Sequence, residues 1–339
     1  MKIAIDFRIT YKNDKALSVF TREFWEDMAI IKPGHEFLFI TDQDKPADHL
    51  PKNIHIRKLT GSSIKWLHQK KLKNALAEWN ANFFITVQDN GFLVNHSLNK
   101  KNTSKKEMPA DEKIVFIYNA AVQTKNRILP EPVISAIKPV CSTVITSLSW
   151  AEAESIKTQY TGDRSFFLFV GNISGEHLLI DLLKAFSTFK KWQQSNMQLV
   201  IAGYTTAWAQ VFEEKLQTYK YKSDVVIIKN TTSTIISKLL AASYATLYPG
   251  AENTFPLGLL WAVQSNKAII ATDNYSNRQI TETAEWVDKN NTAEGFAKAM
   301  ILLYKDEKHQ QLLVQQTVEA AKQFNRPRML EEVWACIEK

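Results

Sequence analysis

The stretch FFLFVGNISGEHLLIDLLKAFSTFKKWQQSNMQLVIAG, Phe166–Gly203, carries the reading of the fold. It opens on an apolar run, Phe166–Gly171, too short for an ordinary helix and apolar at successive positions, as in a strand covered on both faces. Glu176–Trp192 then takes a helical period, and Gln198–Gly203 returns to the strand pattern. Strand, helix, strand with both strands apolar predicts a βαβ unit and a parallel sheet.

The same alternation continues outward in both directions. Toward the C-terminus, Val225–Lys229, Ala245–Pro249 and Ala268–Thr272 read as strands, and Thr206–Thr218, Thr232–Ala242, Leu257–Gln264 and Ala293–Tyr304 as helices. Toward the N-terminus the strands are Lys2–Asp6, Glu36–Thr41, Asn53–Leu59, Asn82–Val87, Lys113–Tyr118 and Thr143–Ser147, with helices at Ala16–Ile31 and Ser62–Trp79. The second of these helices puts Ile64, Leu67, Leu72, Leu76 and Trp79 near one face. Asn95–Glu112 is polar and reads as a long loop. Two such series predict two doubly wound α/β domains, residues 1–160 and 161–322, joined near Tyr160–Ser165. At ~150 residues per domain, the 339-residue chain agrees. Residues 323–339 hold a helix around Met329–Ile337, whose Leu330, Val333, Trp334 and Ile337 share one face.

Composition excludes several classes. At 45% hydrophobic and 23% charged the chain is not disordered. No apolar run nears the ~20 residues of a membrane span, and the MKIAIDF start has no secretory pattern, so a cytoplasmic location is expected. Cys141 and Cys336 are too few for a disulfide framework or a cysteine zinc site. Ten glycines argue against a richly glycine-lined phosphate loop. Most of the net charge of +7 lies in residues 1–160, with 23 Lys and Arg against 17 acids, notably Lys70, Lys71, Lys73, Lys100, Lys101, Lys105 and Lys106. These lysines are either a solvated face or a surface for peripheral contact with anionic lipid at the inner membrane face. Nucleic acid is not expected, because no aromatic interleaving accompanies them. No HExxH, Walker loop, GxGxxG or catalytic Ser-His-Asp pattern occurs. His96 has nothing to pair with, and Asp89 in QDNG reads as a turn former. Neither metal nor cofactor is expected.

The segment Phe166–Gln198 and the LVIAG that follows resemble the opening of the donor-binding domain of family 4 retaining glycosyltransferases, including their Ala-Phe and Ala-Gly pairs at Ala185-Phe186 and Ala202-Gly203. YPGAENTFPLGLLWAVQSNKAIIATDN, Tyr248–Asn274, resembles the family's E-x7-E segment. Asp6–Arg8, Thr21–Phe24 and Val144–Tyr160 resemble parts of its acceptor domain and of the stretch before the domain crossover. The resemblance implies a GT-B-like fold, two Rossmann-like domains facing each other across a cleft, with the C-terminal helix crossing back to the N-terminal domain. It also implies a nucleotide-sugar donor, a glycan or lipid-linked acceptor, and transfer of a hexose-type sugar.

The family's chemistry-bearing positions differ here. Its diphosphate-binding Arg-Lys pair matches Glu176 and His177, and the following Asn matches Leu178. The E-x7-E glutamates fall on Asn253 and Trp261, with Glu252 one residue early, and Thr254 replaces a glycine. The acceptor-side Gly-x-Gly turn matches Ala16-Leu17-Ser18, and a His-Asp pair matches Tyr118-Asn119. The candidate donor residues are thus Gly171, Asn172, His177, Gly203, Tyr204, Pro249, Glu252, Asn253, Thr254 and Phe255, and the acceptor-side candidates are Ser18, Tyr118 and Asn119. No catalytic residue is assigned. Loss of two cations, at ~1.5–3 kcal/mol each, removes about two to four decades of rate. His177 would restore part of this if it protonates beside a diphosphate, with affinity rising as pH falls through ~6.5. Trp261 is either a packed core aromatic or a stacking surface for a base or sugar. Three functions stay open: a glycosyltransferase of weakened activity, a non-catalytic GT-B relative serving as a binding or partner subunit, and another GT-B chemistry such as epimerisation or phosphorolysis.

Overall fold

The computed structural model describes residues 1–8, 15–42, 50–59, 65–88, 91–96, 112–116, 133–142, 148–251 and 256–338. The chain divides into two compact units, Met1–Lys138 with Arg326–Lys339, and Pro139–Asn325.

The first unit contains β1 (Lys2–Asp6), α1 (Lys15–Ile31), β2 (Glu36–Thr41), β3 (Ile54–Lys58), α2 (Lys65–Trp79), β4 (Phe83–Gln88), β5 (Gly91–His96), β6 (Glu112–Phe116) and β7 (Val133–Ile137). They form a seven-stranded sheet in the order β3-β2-β1-β4-β5-β6-β7. The expectation of a parallel sheet is corrected at β5, which runs antiparallel to β4 and β6. Gln88 pairs with Gly91, and the two residues between them cannot span the dozen or more that a parallel crossover needs. Phe24, Trp25, Phe37 and Phe92 are buried together, with Phe24 and Trp25 edge to face at 5.1 Å. On α2, Leu76 is buried, with Leu72 and Trp79 packed beside it against Leu38 and Ile40.

The C-terminal helix lies in this first unit. Trp334 packs 4.8 Å from the His35 ring, Lys32 Nζ reaches Glu331 at 2.9 Å, and Arg326 Nε donates to Asp27 at 2.6 Å. Leu330, Val333, Trp334 and Ile337 are all buried, as their shared face requires.

The second unit runs α3 (Trp150–Thr161), β8 (Phe166–Ile173), a 3₁₀ turn (Gly175–His177), α4 (Leu179–Gln193), β9 (Gln198–Thr205), α5 (Ala209–Leu216), β10 (Val225–Lys229), α6 (Ser233–Ala242), β11 (Ala245–Tyr248), α7 (Leu257–Val263), β12 (Ala268–Asp273), α8 (Tyr275–Ile280), β13 (Glu285–Asp288), α9 (Thr292–Lys305) and α10 (Glu307–Ala321). Its six strands, in the order β10-β9-β8-β11-β12-β13, are all parallel. β8 and β9 are eight residues each and buried almost throughout, which explains their unbroken apolar text. Phe167 and Phe169 of β8, Phe186 and Phe189 of α4, and Met300 and Leu303 of α9 belong to one buried cluster on the sheet. The expected strand Thr143–Ser147 and most of the expected loop Asn95–Glu112 lie outside the described residues, as do Lys100, Lys101, Lys105 and Lys106.

Candidate functional site

The chain leaves β8 toward β9 on one side and later returns to β11 on the other. Such a reversal opens a crevice at the carboxyl ends of the strands, the place where doubly wound sheets take their ligands. Gly171 and Gly203 are register partners there, as are Asn172 and Tyr204. A Cβ on Gly203, at φ +142°, would sit 2.0 Å from the Gly171 carbonyl oxygen. Only glycine lets the two strand ends close up in this way. Helix α7 approaches as tightly from the other side: a Cβ on Gly258 would lie 1.9 Å from the Val170 carbonyl oxygen.

Beyond Ile173 the chain makes the 3₁₀ turn, and Leu178 then sits at φ +49° before α4 begins. The expected helix start at Glu176 is therefore corrected to Leu179. A leucine in the left-handed region is unusual, because its Cβ crowds the backbone; asparagine and glycine tolerate it. Among the described residues no side chain caps α4, whose amino terminus follows directly on the turn after β8.

His177 is buried between aromatic rings, 5.5 Å from Phe169 and 5.9 Å from Tyr248, both edge to face. Its Nδ1 lies 3.0 Å from Ser174 Oγ. Burial pushes its pKa down to about 4. The expectation of an imidazole titrating near 6.5 is corrected accordingly: the ring is neutral at physiological pH, because among the described residues no carboxylate offsets the loss of water around it. Glu176 is exposed, and its carbonyl oxygen accepts the Ala251 amide at 3.1 Å, tying the turn after β8 to the loop after β11. In that loop Pro249 is buried, and the Gly250 carbonyl accepts Asn274 Nδ2 at 2.9 Å.

The structure thus gathers Gly171, Asn172, His177, Gly203, Tyr204 and Pro249 at one edge of one sheet. Gly171, Asn172, Gly203, Tyr204 and Pro249 are buried, and Gly175 and Glu176 are exposed beside them. Glu252, Asn253, Thr254 and Phe255 lie outside the described residues, as do Asp89, Tyr118 and Asn119. Ser18 is buried within α1 of the first unit, where its carbonyl oxygen accepts Thr21 Oγ1 at 3.1 Å. Trp261 is fully buried on α7 and is a core aromatic, not a stacking surface. Two cations at the carboxyl edge went unweighed in the sequence: Lys229 ends β10 but pairs with Glu213 at 2.7 Å, and Arg278 of α8 is held by both oxygens of Asp273 at 2.8 Å. The Asp273 and Arg278 spacing, five apart across a strand end, is the signal that could have marked the latter.

A doubly wound unit with paired glycines at its switch point is of the Rossmann type, and the complete fold is that of the GT-B glycosyltransferases. The sequence profile described as "Glycosyl transferases group 1" matches residues 151–322, just over half of the chain, and the chain belongs to that family. No curated protein matches it by sequence. Among solved structures it is similar to WaaG, a glycosyltransferase involved in lipopolysaccharide biosynthesis, at 12% identity and a TM-score of 0.74, over 98% of both chains. It is similar to Anabaena HepE in complex with UDP-glucose at 11% identity and 0.74, over 100% of this chain and 99% of that one. Sucrose-phosphate synthase from Thermosynechococcus elongatus aligns at 14% identity and 0.73, over 99% and 98%. Among the described residues no helix is long and apolar enough to cross a membrane.

Proposed function

We propose that the second unit binds a nucleotide-sugar donor at the carboxyl ends of β8, β9 and β11, and that the chain transfers the sugar, with retention, to a glycan or lipid-linked acceptor. The observation that carries this reading is the uncapped amino terminus of α4 at the switch point, beside the Gly171–Gly203 pair. Backbone amides and the helix dipole there suit a diphosphate. The remaining donor-side candidates are Asn172, His177, Tyr204, Pro249 and the segment Glu252–Phe255; Ser18, Tyr118 and Asn119 are proposed for the acceptor side.

Turnover is proposed to be weak. The leaving diphosphate gathers negative charge, and fixed cations normally stabilise it. Here the turn offers an exposed carboxylate and a neutral, buried imidazole. That same neutrality favours a second reading, a non-catalytic relative that keeps the fold to bind a ligand or a partner. Peripheral contact with anionic lipid through the basic first half, on the cytoplasmic side, is part of the proposal.

Because HepE is recorded with UDP-glucose, that donor is the first to test. Calorimetric titration of the full chain with UDP, UDP-glucose and other nucleoside diphosphates should detect binding, and labelled donor should report slow transfer or hydrolysis. Binding without turnover supports the second reading. No binding of any nucleotide refutes the donor site.

A further inference from the structure

The opposite edge of the second sheet carries a separate groove of about 530 Å³. Its walls are one face of α3, with Trp150, Glu154 and Lys157, and one face of α10, with Gln310 and Gln315. Its floor is formed where chains enter β8, β11 and β12, at Ser165, Ser243, Tyr244, Asn266 and Lys267. In a parallel sheet these amino ends are a full strand length from the carboxyl ends discussed above, ~25 Å along the eight-residue β8. The volume lies in the range of small-molecule sites.

The lining is chemically specific. Trp150 leaves 79% of its surface open, although large aromatic side chains are ordinarily covered. Lys157 is paired with Glu154 at 2.7 Å, whereas Lys267, half-buried, has no hydrogen-bond or ion-pair partner among the described residues. Burial and the nearby Lys157 charge both push the Lys267 pKa down. An ammonium held this way against desolvation and a like charge gains from an anion. Asn266, Gln310 and Gln315 likewise have side-chain amides free of partners among the described residues, and such amides both donate and accept.

We infer that this groove binds an acidic saccharide, a pyranose bearing a carboxylate or phosphate, with the anion on Lys267, the ring against Trp150 and the hydroxyls on the amides. A neutral sugar would leave the Lys267 charge unmet. A bare phosphate would leave the indole face and the amides unused. The inference is independent of the donor site, since it uses none of its residues.

The source of such a group is either a free sugar acid or phosphate, or a glycan chain, and the test separates them. Full-length protein is titrated by calorimetry with glucose 6-phosphate, with a glucuronate-containing tetrasaccharide and with neutral cellotetraose. The wild type should bind at least one acidic probe in preference to cellotetraose, more weakly as salt rises. Affinity should fall about tenfold or more in Lys267→Gln, the loss of a charged hydrogen bond, and also in Trp150→Ala. Trp150 is exposed, so its variant should keep the wild-type melting temperature and stands as the test if Lys267→Gln fails to fold. Preference for glucose 6-phosphate assigns a free sugar, and preference for the tetrasaccharide assigns a glycan. The inference is overturned if no acidic probe binds at millimolar concentration, if cellotetraose binds equally well, or if Trp150→Ala leaves affinity unchanged.

Discussion

The buried imidazole of His177 ties stability to pH in a calculable way. Its folded-state pKa of about 4 lies below the ordinary value of 6.5 that the unfolded chain regains. Between those values the unfolded chain binds the proton and the folded chain does not, so stability is complete above pH 6.5 and declines as pH falls. At ~1.36 kcal/mol per pH unit, the loss reaches about 1.4 kcal/mol by pH 5.5 and about 3 kcal/mol by pH 4, where it levels off. The side chain is 3% exposed, so solvent screening does not dilute this. Urea unfolding at pH 7.5, 6.5, 5.5 and 4.5, for wild type and for His177→Gln, isolates the contribution: the difference between the two should shrink with falling pH by these amounts. With ¹³C-labelled histidine, the His177 Cε1–H signal, assigned by its absence in the variant, should hold still from pH 8 to 5. A His177 signal titrating between pH 6 and 7 would refute the reasoning, and would restore the imidazolium that the sequence alone suggests.

Three further outcomes are expected. Leu178→Gly should raise the melting temperature, equivalent to about 1 kcal/mol, by relieving the left-handed leucine; an unchanged or lower value would mean that packing outweighs backbone strain. Gly203→Ala should cost on the order of 4 kcal/mol or prevent folding, because its methyl would overlap the Gly171 carbonyl, and soluble expression with urea titration measures it. Glu176→Arg should tighten nucleoside diphosphate binding by about one to two decades, from ~1.5–3 kcal/mol per charged hydrogen bond; no change in calorimetry would place the diphosphate away from this turn.

Much of this molecule is legible without coordinates. β8 and β9 are called for by apolar runs that only a doubly covered strand needs, and α1, α6 and α9 by periods that bury one face. The last helix is readable from four apolar positions, and all four are buried. The alternation itself dictates doubly wound sheets, since each parallel strand requires a crossover. What escaped the sequence depends on partners distant in the chain. β13 is only four residues long, and β5 has just Phe92–Val94 apolar in succession, so their pairing in the sheet makes them strands. The start of α4 is displaced to Leu179 by a turn whose backbone is tied across to Ala251. The charge state of His177 follows from Phe169 and Tyr248 closing over it, one from its own βα unit and one from a strand much further along the chain. Residue type says that an imidazole can titrate near neutrality. Only the water excluded by tertiary packing decides that this one does not.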